Sequence, residues 1–228
     1  MNTVTTGQEY SNGQATIMTM DRNLLDKLSR ADQADQVALT RHLCEQVLAD
    51  EPTHGPTLIR YAACLVEMSL YDDATAVLDR AERVVPKDRR HLVLAQRGHL
   101  QMSMGYHSEA ERLFMSAHEH DPVDATYLIY AGSAAFALGD ITRAESLARK
   151  ALECSEGCID EAYFNLGGYL LVQKKYDEAR RCYVHALEID PDYEIAKDRL
   201  EDLDRLLKYK KAEKSRLDKP AIPPRVGD

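Results

Sequence analysis

The sequence contains no run of about 18 apolar residues, which excludes a membrane-spanning helix. Its first fifteen residues, Met1 to Ala15, have neither the basic start nor the apolar core of a signal peptide, so the expected location is the cytoplasm. Positive charge is in deficit. The 29 Lys and Arg stand against 38 Asp and Glu, a formal net charge of -9, and a general nucleic-acid binder would need a basic surface to meet phosphates. Cysteine is scarce and odd in number, five in 228 residues, so free thiols are expected rather than a disulfide framework. No GxxxxGK[ST] phosphate loop occurs, and Gly167-Gly168 fall inside a helical pattern. No Ser-His-Asp set can be assembled, and neither an enzyme nor a cofactor is expected.

What is present is repetition. Pro52, Pro86 and Pro122 are 34 and 36 residues apart, and Pro191 follows 69 later. Each ends a helical pattern (ADEP, RVVP, EHDP, EIDP), where a residue without a backbone donor belongs. Three columns of small residues keep the same register: Ala62, Gly98, Gly132, Gly167; then Ala74, Ala110, Ala144, Ala179; then Ala81, Ala117, Ala151, Ala186. Each unit reads as two helices. The breaks fall at Ser69-Leu70, Gly105-Tyr106, Gly139-Asp140 and Lys174-Lys175. Small residues let one helix approach the next, and larger residues such as Leu166, Tyr183 and Leu187 fill the space between.

These residues resemble the tetratricopeptide repeat family. The match is fullest in 160–193, where Tyr163, Leu166, Gly167, Leu170, Tyr176, Ala179, Tyr183, Ala186 and Pro191 all carry the type the family expects. The units 55–90, 91–124 and 125–159 match less fully, and the third has Glu156 where proline is usual, with one extra residue. The resemblance implies an all-α fold, a right-handed α-solenoid of antiparallel helix pairs. A degenerate pair is expected over 18–54. A capping helix is expected over 194–217, with Ile195, Leu200, Leu203, Leu206 and Leu207 as its apolar side. The segments 1–17 and 218–228 are expected to be disordered.

The resemblance also implies a concave groove lined by the first helix of each unit. Projected onto this chain, the lining is Ile59, Arg60, Ala63 and Val66; Leu92, Gln96, His99 and Met102; Ile129, Tyr130, Ser133 and Phe136; and Phe164, Asn165, Gly168 and Leu171. The stretches 125–139 and 163–173 hold no charged residue, so even their outer faces are expected to be apolar and to take a helix or extended peptide with aliphatic anchors. The co-chaperones of the family grip a C-terminal carboxylate with Lys, Asn and Arg. Ile59, Ala63, Gln96, Thr126 and Tyr130 stand at the corresponding positions, so that function is not expected. In character the groove is more similar to repeat proteins that shield hydrophobic segments. The expected function is a non-enzymatic adaptor or chaperone for another protein or peptide. The competing reading is a self-assembling subunit, with the groove filled by the last helix, the N-terminal segment or a second copy in a homodimer.

Other features have plainer readings. Cys154 and Cys158 are four apart with no cluster of His or Cys nearby, so a metal site is not expected. His118 and His120, two apart on a helix, do not share a face. Seven Lys or Arg between Arg205 and Lys219, against Glu213 and Asp218, read as a solvated helix end. The tail KPAIPPR (219–225) fits a loose Src-homology-3 ligand pattern, but a plain disordered tail is favoured.

Overall fold

A computed structural model of the chain describes residues 22–217, with side chains to 214; the two terminal segments and the KPAIPPR motif lie outside the described residues. The described residues form eleven α-helices and no strand. They are α1 (Arg22–Gln33), α2 (Val37–Asp50), α3 (Gly55–Glu67), α4 (Tyr71–Val84), α5 (Arg90–Ser103), α6 (His107–His120), α7 (Thr126–Ala137), α8 (Ile141–Ala151), α9 (Ile159–Val172), α10 (Tyr176–Ile189) and α11 (Glu194–Leu217). Each odd-numbered helix from α1 to α9 packs on the even-numbered helix after it, and each second helix packs on the first helix of the next pair. The architecture is the all-α helical-repeat superhelix that the resemblance implies.

One turn geometry makes every pair. Asp35, Ser69, Gly105, Gly139 and Lys174 have φ of 53, 60, 82, 81 and 61°, the left-handed region. At each, the next amide bonds a carbonyl five residues back, as in Leu70 to Leu65 (2.8 Å) and Lys175 to Leu170 (2.9 Å). The left-handed residue itself bonds three back, as in Gly139 to Phe136 (2.9 Å). This is the Schellman arrangement, which satisfies orphan carbonyls at the end of the first helix and turns the chain back on itself. Four of the five turns coincide with breaks legible in the sequence. The fifth, at Asp35, lies before the register of the four full units.

The small-residue columns are all buried, with every alanine among them inaccessible to solvent. Their sizes are matched to what they face. A Cβ at Gly98 would sit 2.5 Å from the Phe114 ring, and one at Gly167 would sit 2.6 Å from the Tyr183 ring. Phe114 and Tyr183 occupy equivalent places on α6 and α10, and both are almost fully buried. The equivalent residues on α4 and α8 are Leu78 and Ala148. There alanine (Ala62) is tolerated, or the space is taken by Tyr169 from the next pair, whose hydroxyl would lie 3.5 Å from a Cβ on Gly132.

The departure at 153–158 has a backbone cause. The Glu156 amide donates to the Val123 carbonyl (3.0 Å), and the Glu156 carbonyl accepts from Ala125 (2.9 Å). This parallel bridge joins two inter-pair loops. Proline, usual at this place, has no donor for the first bond.

On α11 the buried stripe is Ala196 and Leu203, flanked by Leu200, Leu206 and Leu207, which pack on the last pair. Ile195 does not belong to it. It is 57% exposed, because the 3–4 spacing of the stripe runs through Ala196, and Ile195 lies on the flank. Arg180 of α10 pairs with Asp204 (2.7 Å), and Lys210 sits 4.3 Å above the Tyr176 ring, so the helix is fastened along its length.

Candidate peptide-binding face

The first helices α3, α5, α7 and α9 line one face, and the fold sorts the expected lining into residues that reach solvent and residues that do not. Leu92 (39%) and Phe136 (40%) are exposed. Ile59, Arg60, Gln96, His99, Met102, Tyr130, Phe164, Asn165 and Leu171 are partly exposed. Two are not available to a partner: Ile129 is 1% and Val66 is 7% exposed, and both belong to the core. The reason lies in the position of α7. Enclosed by α6, α8 and α9, it buries seven of its twelve residues, from Tyr127 to Ala135. Its lack of charge is therefore mainly the signature of a central helix buried nearly all round, and only Thr126, Tyr130, Ser133 and Phe136 onward remain open.

Two pockets occupy this face. The first, of about 350 Å³, is lined by Asp32, Pro56, Ile59, Arg60, Ala63, Leu92 and Gln96. Arg60 forms an ion pair across it with Asp32 of α1. The second, of about 330 Å³, is lined by Ser133, Phe136, Phe164, Asn165, Gly168, Tyr169, Leu171, Tyr183 and Arg199. Its walls are aromatic. Phe136 packs on Tyr169 with ring centres 5.2 Å apart, and Phe164 lies 5.8 Å from Tyr183 and 5.1 Å from Tyr193. His99 of α5 lies edge-on to Tyr130 (4.4 Å) and to Phe114 (5.1 Å). Burial holds the His99 imidazole below its ordinary pKa and raises that of the Tyr130 phenol. Gln96 and Asn165 make no hydrogen bond among the described residues, so their amides are free for a ligand.

Glu161, in the first turn of α9, is half-buried with no cationic partner among the described residues; burial, then the neighbouring Asp160, raises its pKa. By contrast Glu145 of α8 is a structural hub behind the face. It accepts from Gln173 (2.6 Å), Arg149 (2.7 Å) and Lys175 (3.0 Å). Burial disfavours its charge, but these three bonds outweigh it and bring the pKa to about 2. No group of three or more His, Cys, Asp or Glu among the described residues could hold a metal ion. All five cysteines are free, with Cys154 half-buried against the Pro122 carbonyl and Cys158 exposed.

Asp32 and Arg199 line these pockets and Tyr193 packs on Phe164, though none is in the expected lining, and Thr126 and Glu161 are half-buried on the helices that line the face. Thr126 and Glu161 continue the Leu92 column at the repeat spacing, which is a signal the sequence carries. Asp32 and Arg199 come from helices outside the four full pairs, and no repeat register points to them.

Three family models, each described as tetratricopeptide repeat, match this chain over residues 30–97, 96–157 and 160–193. RNA polymerase II-associated protein 3 of Rattus norvegicus is 28% identical over 145 residues, covering 63% of this chain; the chain matches 22% of that protein's length. Among solved structures, a thermophilic tetratricopeptide repeat protein of Thermus thermophilus superposes with a TM-score of 0.69 at 19% identity, covering 79% of this chain and 97% of that one. The first repeat domain of Spaghetti, bound to the HSP90 peptide SRMEEVD, superposes with a TM-score of 0.50 at 24% identity, covering 54% and 96%. The repeat columns, the recurring turn and matches that run through all but the first and last described helices agree, and the chain belongs to the tetratricopeptide repeat family.

Proposed function

We propose that this protein is a non-enzymatic, cytoplasmic adaptor, chaperone-like in action, which holds an extended or helical segment of another protein on the face lined by α3, α5, α7 and α9. The observation that carries the reading is the presence on that face of two pockets, one crossed by the Arg60–Asp32 ion pair and one walled by aromatic rings, with exposed Leu92 and Phe136 and unengaged amides on Gln96 and Asn165. Apolar walls with a few free polar groups are the makings of a peptide site, since the walls supply burial and the amides set register. Support also comes from the relatives, one of which takes an HSP90 peptide in a domain of this fold. The carboxylate grip of the family's co-chaperones is not part of the reading, because Ile59, Ala63, Gln96, Thr126 and Tyr130 do not supply it. Five unpaired thiols suit a reducing compartment.

The test is site-specific photocrosslinking. A benzophenone side chain at Leu92 or Phe136 is expected to capture a partner segment, whereas one at Arg112, on the outer surface of α6, is not. Capture of a second copy of the chain at Leu92 and Phe136, together with a dimer mass in light scattering, would favour the self-assembling subunit. Equal capture at Arg112 would overturn the groove.

A further inference from the structure

The second pocket has an exposed cation at its edge, Arg199, whose charge acts on the Tyr183 phenol but is not neutralised by a carboxylate among the described residues. Arg199 of α11 reaches into its lining, and its guanidinium has no hydrogen bond or ion pair among the described residues. Its own helix leaves it free. Ile195, Ala196 and Leu203, at i−4, i−3 and i+4, carry no charge, and Asp202, at i+3, is engaged by Arg205 (3.3 Å). No carboxylate among the described residues lines the pocket. A second observation points the same way. Glycine inside a helix costs about 1 kcal/mol relative to alanine, and two stand together in α9. Gly167 is required by the Tyr183 ring, but Gly168 is not, because a Cβ there would meet only the Tyr183 hydroxyl at 4.0 Å. No packing among the described residues explains it. What its missing side chain leaves is room in the pocket wall, beside the free amide of Asn165.

Building on the adaptor reading above, we propose that this pocket receives an aromatic or branched aliphatic side chain of the partner segment, and that Arg199 pairs with a carboxylate flanking that side chain. The capping helix is then part of the binding face. Gly168 keeps the receptor open, Phe136 and Phe164 bury the apolar anchor, and Arg199 selects for acid beside it. In a chain of net charge -9 an acidic segment is repelled at long range, so a local cation makes the preference positional rather than general.

The experiment pans a random dodecapeptide phage library on the full chain and on Arg199→Gln and Gly168→Leu, with circular dichroism checking that each is folded. The wild type is expected to enrich Asp or Glu next to an apolar anchor. Arg199→Gln should keep the anchor but lose the acid, and should bind the synthetic wild-type consensus peptide about tenfold or more weakly, as for loss of a charge-assisted pair. Gly168→Leu should abolish binding of that peptide. Acid preference that survives Arg199→Gln, or apolar enrichment without acid, would overturn this assignment and leave the adaptor reading standing. Full binding by Gly168→Leu would move the anchor to another pocket. No enrichment by the wild type would overturn both.

Discussion

Three glycines hold equivalent places on α5, α7 and α9, yet alanine at each should have a different effect. Gly167→Ala puts a methyl 2.6 Å from the Tyr183 ring, and Gly98→Ala puts one 2.5 Å from Phe114; both rings are buried and cannot swing away. Overpacking of this kind costs about 1–3 kcal/mol. Against it stands the gain of about 0.8–1 kcal/mol from removing a glycine from a helix. The net expectation is destabilisation of up to about 2 kcal/mol. Gly132→Ala meets its nearest neighbours at 3.5, 3.6 and 3.7 Å, ordinary contact distances, so it keeps the propensity gain and should stabilise by up to about 1 kcal/mol. Chemical denaturation measures the difference directly. In a chain of this size, thermal midpoints move by about 2–4 °C per kcal/mol. The pairing can be isolated further: Tyr183→Leu recreates the Ala62 and Leu78 combination of the α3–α4 pair, and should offset much of the cost of Gly167→Ala in a double-mutant cycle. If Gly98→Ala and Gly167→Ala proved as stable as Gly132→Ala, ring proximity would not be the reason these positions are glycine.

Other consequences can be measured in the same way. Lys174 adopts φ of 61° where the equivalent turns have Gly105 and Gly139, so Lys174→Gly should stabilise by about 0.5–1 kcal/mol. Gly139→Ala, whose new methyl would touch nothing within 4 Å, should destabilise by about the same amount in urea unfolding. The carboxyl of Glu145 has a pKa of about 2 when folded, against 4.5 for the unperturbed group, so the stability it contributes is present above pH 4.5 and is lost as the pH falls toward 2. Glu145→Gln should therefore cost about 1–2 kcal/mol at pH 7 and show a shallower loss between those two pH values; a parallel acid titration of the variant would refute the hub. Glu156→Pro removes the amide that bonds Val123, and is expected to cost about 1 kcal/mol or more. It should also speed hydrogen exchange at Ala125, and unchanged protection there would mean that the bridge does not hold the loops together.

The repeat is legible because it is written in residue types with one physical meaning each. Small residues mark close helix approach, proline marks a helix end and, at Gly105 and Gly139, glycine marks the left-handed turn, so the columns ending at Gly167, Ala179 and Ala186 can be read without a structure. Exposure is less legible. Ile129 and Phe164 occupy equivalent places on α7 and α9, but α7 is covered by later helices and α9 is not as fully covered, so the same position is core in one pair and half-buried in the other. Ile195 misleads because its apolar character outweighs the register in which Ala196 carries the contact. Arg199 is invisible for another reason. It lies outside the repeat, and only the folding back of α11 brings it to the pocket formed by α7 and α9.

The proposed binding face carries two recesses, one lined from α3 and α5 and the other from α7 and α9. On the adaptor reading proposed above, a face with two recesses reads distance as well as chemistry. A segment that fills one recess holds the rest of itself at high local concentration beside the other, and the gain from the second contact depends on the length and stiffness of the stretch between them. Two weak anchors correctly spaced on one chain can then outcompete either anchor alone. Shortening or lengthening the intervening stretch by a few residues would abolish that advantage while leaving each anchor intact.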